Sequence, residues 1–319
     1  AMIISELILK NQIKGVIGMG GGGGTYMALA AMQKVPLGIP KLCLSTITAI
    51  DLSRQIGVKD ITLMSSVVDV AGLNNISRLL IKQAAASICA MANVNAEPKD
   101  ISKKSIAISI FGNTTKCVNK CSEFLKEKGY EVLVFHATGV GGKTMESLIR
   151  EGAFDAVLDV TTTELADELY HGILSAGPER LTAASEMGIP QIVVPGCLDM
   201  VNFGHIDTVP SIYRSRQLYS WSPEVTLMRT NKEENQSLGK LLANKLNNSK
   251  GSVEIALPLK GISQLDSEGD IFYNHEIDTA LFKSIKENAI EIPITEIEAH
   301  INDEVFAAHL VARLIKLIE

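Results

Sequence analysis

Five consecutive glycines, Gly20–Gly24, sit inside the run VIGMGGGGGT (Val16–Thr25). The run lies between an apolar β-type segment and a helical pattern. A simple strand-to-helix turn needs one or two glycines. Five strip the backbone of side-chain bulk, so their N–H groups can converge on an anion at the positive end of the following helix. Thr25 adds a hydroxyl. No GK[ST] follows, so this is not a Walker A loop. Gly18, Gly20 and Gly23 fit the GxGxxG spacing, but with so many glycines that fit is nearly automatic. The reading is a phosphate or carboxylate cradle formed by Gly20, Gly21, Gly22, Gly23, Gly24 and Thr25.

A second element of this kind is HATGVGGKTMES (His136–Ser147), again between a strand and a helix. Thr138, Gly139, Gly141, Gly142 and Lys143 offer a bare backbone, a hydroxyl and a positive charge. Two polar groups follow other strands, where a doubly wound sheet presents its ligand face. They are FGNTT, with Asn113, Thr114 and Thr115, and DVTTTELAD, with Thr161, Thr162 and Thr163. Glu164 is a candidate for acid–base or metal work, whereas Asp167 reads as part of a capped, solvated first turn. In GIPQIVVPGCLDMVNFGH, Asp199 and Asn202 are the candidates for direct substrate contact and His205 for proton transfer. Cys197 in the same run is a weaker nucleophile candidate. His136 and His171 read as structural.

The rest of the chain alternates short β-branched runs with longer helical patterns, the mark of parallel α/β architecture. Its 319 residues suit two domains or one large α/β domain. The polar stretch Asn93–Ser105 reads as the connection, giving domains 1–98 and 99–319. In the second domain the strands are read as Ile106–Phe111, Glu131–Ala137, Ala156–Val160, Gln191–Gly196, Val225–Arg229 and Glu254–Leu259. A net charge of −6 and 5% aromatic residues argue against a nucleic-acid surface. The longest uncharged stretch, Gly15–Gln33, carries seven glycines and does not read as a membrane span. No cationic region precedes the first apolar residues, so no signal peptide is expected. Five irregularly spaced Cys fit reduced thiols in a cytoplasm. Cys117 and Cys121 share a helix face and are expected to pack there rather than bind metal. No metal site is expected.

Taken together, these segments resemble a known family. GVIGMGGGGGT, GIPKLCLST and GVKDITLMSSVVDVAGLNNISR look like the first half of the ATP-binding domain typified by the tomato mosaic virus resistance protein. IFGNTT, VFHATGVGGKTMESLI, LDVTTTELADEL and AGPERLTAASEMGIPQIVVPGCLDMVNFG look like its second half. The resemblance implies two Rossmann-like subdomains with mostly parallel sheets, a nucleotide site, a homodimer and a TIM-barrel protein as partner. It also implies an opening segment with a GTxDTKG-like stretch, which is absent here, so the first subdomain is expected to lack its opening strands. The expected ligand is ATP, which normally arrives with its own Mg²⁺, an ion that a carboxylate such as Asp159, Glu164 or Asp199 can hold.

Three functions stay open at this point. One is an ATP- or nucleotide-binding protein acting on or sensing a small anionic metabolite. Another is a glycosyltransferase-like enzyme using a nucleotide sugar, suggested by AASEMGIPQIVVPGCLD, although Met200 follows Asp199 where such sites carry Gln. The last is a non-catalytic regulatory module.

Overall fold

The computed structural model describes residues 2–94 and 103–319. The chain divides into two compact units, Ala1–Lys99 and Asp100–Glu319. The predicted boundary at 98/99, and most of the predicted connection, fall outside the described residues.

The first unit runs α1 (Met2–Leu9), β1 (Val16–Gly20), α2 (Gly22–Met32), β2 (Lys41–Ser45), α3 (Ser53–Ile56), β3 (Ile61–Ser65) and α4 (Asn75–Ala92). Its three strands form a parallel sheet in the order β1-β2-β3. Side chains alternate across a strand. Cys43 therefore packs with Leu29 and Met32 of α2, while Leu42 and Leu44 pack with Ala84 and Ile88 of α4. The start of α4 is fixed by Asn74, whose side chain accepts the Ile76 and Ser77 N–H groups. Ser77 returns its hydroxyl to the Asn74 N–H. Helix α2 begins at Gly22, not at Tyr26 as the apolar pattern suggests, so three of the five glycines form its first turn.

The second unit runs β4 (Ser105–Ile110), α5 (Thr115–Glu127), β5 (Glu131–His136), α6 (Val140–Arg150), β6 (Ala156–Thr161), α7 (Thr163–Tyr170), α8 (Ala183–Met187), β7 (Gln191–Gly196), β8 (Met200–Phe203), β9 (Leu218–Ser222), β10 (Val225–Arg229), α9 (Lys232–Leu246), β11 (Val253–Pro258), α10 (His275–Asn288), β12 (Ile294–Ile297) and α11 (Glu304–Ile318). Six strands form a parallel sheet in the order β12-β11-β7-β6-β4-β5. The central strands are buried on both faces, so they read as continuous apolar runs. Ile106 and Ile108 face α5 and α11, where Cys117, Cys121, Phe306, Leu310 and Leu314 close one side. Ala107 and Val157 face Met145 and Ile149 of α6 and Ala183 of α8 on the other. Val193, Ile255 and Leu257 face Leu238 and Leu242 of α9 and Leu281 of α10.

One predicted strand lies elsewhere. Val225–Arg229 is the middle of a separate antiparallel sheet, β8-β10-β9. Only Pro223 and Glu224 link β9 to β10. So short a link permits a hairpin and excludes the crossover that a parallel neighbour needs. Helix α8 starts only at Ala183, because Leu181 adopts a left-handed backbone conformation. Among the described residues no helix is long and apolar enough to cross a membrane.

Helices α9 and α10 meet at Gly239. A Cβ there would lie 2.8 Å from both the Leu281 carbonyl oxygen and the Ser284 Cβ. Gly239→Val is expected to destabilise the second unit by about 1–3 kcal/mol through overpacking. Urea unfolding of the variant checks this, and an unchanged midpoint would show that the helices can part without cost.

Candidate functional site

In the six-stranded sheet, β5 lies on one side of β4 while the later strands lie on the other. Strand order thus reverses between β4 and β6, the place where a doubly wound sheet opens its ligand crevice beyond the carboxyl ends. The structure brings Thr114 and Thr161 together there, with their hydroxyls 2.7 Å apart. Thr162 donates its hydroxyl to the Val194 carbonyl. All three side chains are buried and bonded inward.

Beneath them lies Arg180, fully buried. Its Nη2 donates to Asp159 Oδ1 at 2.6 Å and to the Thr161 carbonyl at 3.1 Å. Its Nη1 reaches Asp159 Oδ2 and, at 3.3 Å, Glu146 Oε1. Its Nε donates to Glu164 Oε2 at 2.6 Å. Each carboxylate has further donors. Asp159 accepts from the Ser109 hydroxyl at 2.7 Å. Glu146 accepts the N–H groups of Leu181, Thr182 and Ala183 at the start of α8. Burial pushes the Glu146 pKa up, against the pull of Arg180 and those amides.

Glu164 has a further role. Its Oε1 accepts the N–H of Gly139 at 2.7 Å and of Gly142 at 3.1 Å. The second glycine-rich loop does cradle an anion, but the anion is this chain's own carboxylate. The glycines make the approach possible: a Cβ on Gly142 would sit 2.1 Å from Glu164 Oε2, and Gly139 has a φ of +83°. Gly141 faces the His136 carbonyl, 1.9 Å from where its Cβ would be. Thr138 donates to that carbonyl at 3.2 Å, and Lys143 is exposed at the surface.

The other predicted site residues are dispersed. Asp167 is fully buried, which corrects its reading as part of a solvated turn. The turn is covered because β8 packs on α7: Asp167 accepts from Asn202 through both the backbone N–H (3.0 Å) and the side-chain amide (2.6 Å). Burial raises its pKa to about 7, against those hydrogen bonds. Asn202 also donates to Thr163 at 3.1 Å. Asp199 is buried and accepts from Ser263 at 2.7 Å. Asn113 is buried with its amide nitrogen 3.6 Å from the Met200 sulfur. Cys197 is buried in a left-handed conformation, and burial pushes its thiol pKa well up, with Asp199 and Asp266 adding to it. His205 is half exposed and accepts the Asp207 N–H through Nδ1 at 3.3 Å. His136 packs its ring against Phe111, and His171 ends α7 in a left-handed conformation.

The first unit holds the other glycine loop. Gly18 and Gly20 are packing glycines, since a Cβ would lie 2.5 Å from Ala28 Cβ or 2.7 Å from Gly24 Cα. Above Gly22 and Gly23 there is open space, with nothing within 4 Å of an added Cβ. Both lie in the first turn of α2, whose opening N–H groups have no intrahelical partner. Thr25 turns inward, sharing a hydrogen bond of 2.7 Å with Ser45 and reaching the Gly20 carbonyl at 3.2 Å. At the carboxyl edge of the same sheet is a cavity of about 230 Å³ that sequence reasoning did not anticipate. Met19, Leu44, Val68, Leu73, Leu80 and Ile81 give it an apolar lining. Two lining hydroxyls are held by backbone: Ser66 donates to the Val68 carbonyl at 2.7 Å, and Ser77 accepts the Asn74 N–H at 2.8 Å. Only the glycine loop that ends β1 pointed to this edge.

The carboxylates offered to Mg²⁺ do not fit that ion. Asp159 and Glu164 are paired with Arg180, and Asp199 is buried against Ser263. Among the described residues no group of three or more His, Cys, Asp or Glu is arranged to hold a metal.

Fold and site define a two-unit α/β protein with a glycine-rich helix start in one unit and a closed ionic core in the other. The chain belongs to the uncharacterised protein family UPF0261. Residues 1–97 match the family's N-terminal domain and residues 103–318 its C-terminal domain. The N-terminal domain is thus present, although the sequence reading expects it to lack its opening strands. A UPF0261 protein of Clostridium tetani is 48% identical over 321 residues, covering 100% of this chain and 80% of that relative. One from Rhizobium meliloti is 43% identical, covering 95% and 76%. The ToMV resistance protein Tm-1(GCR237) of Solanum lycopersicum is 39% identical over 97% of this chain, which spans 42% of the tomato protein.

Removing Arg180 would leave Asp159 and Glu164 buried without their cation. Arg180→Ala is expected to lower the unfolding free energy by about 3–5 kcal/mol. Chemical denaturation reads this directly, and a loss below about 1 kcal/mol would mean that the carboxylates relax to water.

Proposed function

We propose that the chain binds a nucleotide, with ATP as the leading ligand, at the carboxyl edge of the first unit's sheet. The observation that carries this reading is the open space above Gly22 and Gly23 at the carboxyl edge of a sheet that also holds, at that edge on its α4 side, an apolar cavity reached by Met19. The free N–H groups and the positive end of α2 suit phosphate oxygens. The cavity, about 230 Å³, suits a flat, largely apolar ring. Gly20, Gly21 and Gly24 then shape the loop, and Thr25 holds it to β2 through Ser45. The second glycine loop takes no part in this reading, because Glu164 fills it.

No observation favours the nucleotide-sugar reading, since its acidic residue, Asp199, is buried against Ser263. A nucleotide-binding unit that senses or acts on a small anionic metabolite, as a homodimer or beside a TIM-barrel partner, stays within the proposal.

Gly22→Asp places a negative group in the open space without meeting neighbours. By calorimetric titration, ATP is expected to bind the native chain and to bind this variant at least about tenfold more weakly, while the melting temperature without ligand does not fall. No heat, and no shift in melting at millimolar ATP, would overturn the proposal.

A further inference from the structure

A second ionic cluster in the second unit carries an inference independent of the nucleotide site. Arg229 ends β10 and is surrounded by three carboxylates. Asp199 follows β7, Asp266 lies between β11 and α10, and Asp278 is in the first turn of α10. All four side chains are buried. Arg229 Nη2 donates to Asp278 Oδ1 at 2.8 Å and lies 3.5 Å from Asp266 Oδ1. Its Nε donates to the Phe272 carbonyl at 2.7 Å. Asp266 Oδ2 accepts the Ile262 N–H at 2.9 Å, and Phe272 N–H donates to the Leu265 carbonyl. The cluster therefore ties both ends of the segment 261–272 to β10 and α10.

The charges do not balance. Three carboxylates face one guanidinium, and two buried oxygens, Asp199 Oδ1 and Asp266 Oδ1, have no hydrogen-bond partner among the described residues. Two buried acceptors without a hydrogen bond are costly, and for Asp266 the 3.5 Å approach of Arg229 offsets only part of that cost. The other titratable neighbours bring little relief: His300 meets the segment through Nε2, at the Ser263 carbonyl (2.8 Å) and the Ser267 hydroxyl (3.0 Å), which the native chain and an Asp266 variant share. The Cys197 thiol is held neutral by burial, and His275 acts on Asp278 from the start of α10. Among the described residues these groups are not arranged to hold a metal ion. A proton answers both problems, because it removes one negative charge and turns one bare acceptor into a donor.

We propose that Asp266 is a carboxylic acid in the folded chain, its proton shared with the neighbouring Asp278 carboxylate, and that this buried acid is a pH-sensitive latch on the segment 261–272. Consistent with the geometry, burial first, and then the charges of Asp199 and Asp278, push the Asp266 pKa up to about 9, against the pull of Arg229.

The sign of the effect follows. Between the ordinary value of 3.8 and about 9, the folded chain keeps a proton that the unfolded chain releases. This group therefore lets stability fall as pH rises through that window, by up to about tenfold in the unfolding constant per pH unit. Asp266→Asn mimics the neutral acid and removes that slope. Urea unfolding of both chains at pH 5 and pH 8 tests it. The variant is expected to gain on the native chain as pH rises and to be the more stable at pH 8. Asp278→Asn, which removes the direct partner of Arg229, is expected to destabilise at both pH values. A difference between Asp266→Asn and the native chain that does not change with pH would overturn the proposal. A readout that needs no variant is the infrared C=O stretch of a protonated carboxylic acid in the native chain at pH 8. Its absence overturns the latch, and its presence supports it where the band persists in Asp167→Asn, which removes the other buried acid whose pKa is raised toward neutrality.

Discussion

The second unit is organised around one guanidinium. Arg180 is reached by Asp159 at the end of β6, Glu164 at the start of α7 and Glu146 in α6, so four segments of the chain must arrive before any of them is satisfied. A buried arginine or carboxylate alone would be strongly destabilising, which makes the cluster a condition on the fold more than a source of stability. It also dictates local backbone. The irregular turn from Gly177 to Thr182 delivers Arg180 inward and hands the first amides of α8 to Glu146. The first turn of α6 lies close enough to the start of α7 to let Glu164 reach two glycine amides.

The first unit lacks such an interior charge at its glycine loop. There the inward contacts are made by hydroxyls, Thr25 with Ser45, and the space above Gly22 and Gly23 at the start of α2 is open. Two loops of similar composition therefore have opposite electrostatic states. One is neutralised from within and rigidly packed. The other keeps the partial positive charge of a helix start at a sheet edge that also holds an apolar cavity. That asymmetry, rather than the glycine count, gives the nucleotide reading its location.

Much of the fold was legible in the sequence. The apolar runs at Ile106–Phe111, Ala156–Val160 and Gln191–Gly196 are strands because they are buried on both faces, and the pattern shows that directly. Lys232–Leu246 is a helix whose start the local sequence marks, through the reciprocal cap of Asn231 and Glu234. What failed to show were tertiary facts. Val225–Arg229 is as apolar as a parallel strand, and only its short link to Leu218–Ser222 decides its partner. Asp167 stands where a solvated cap would stand, and it is buried only because β8 folds over it. Arg180, Arg229 and Asp266 have no local pattern at all, since their partners come from distant segments. The cavity of the first unit is lined by apolar residues that read as ordinary core.

Glu164 has a consequence for how such loops compete for ligands. A carboxylate carried on the chain is present at a fixed, high effective concentration and cannot diffuse away. A dissolved phosphate would have to displace it while also leaving Arg180 one partner short. The loop from Gly139 to Gly142 thus behaves as a receptor synthesised together with its own inhibitor. Its glycines record the shape of an anion that the chain itself supplies.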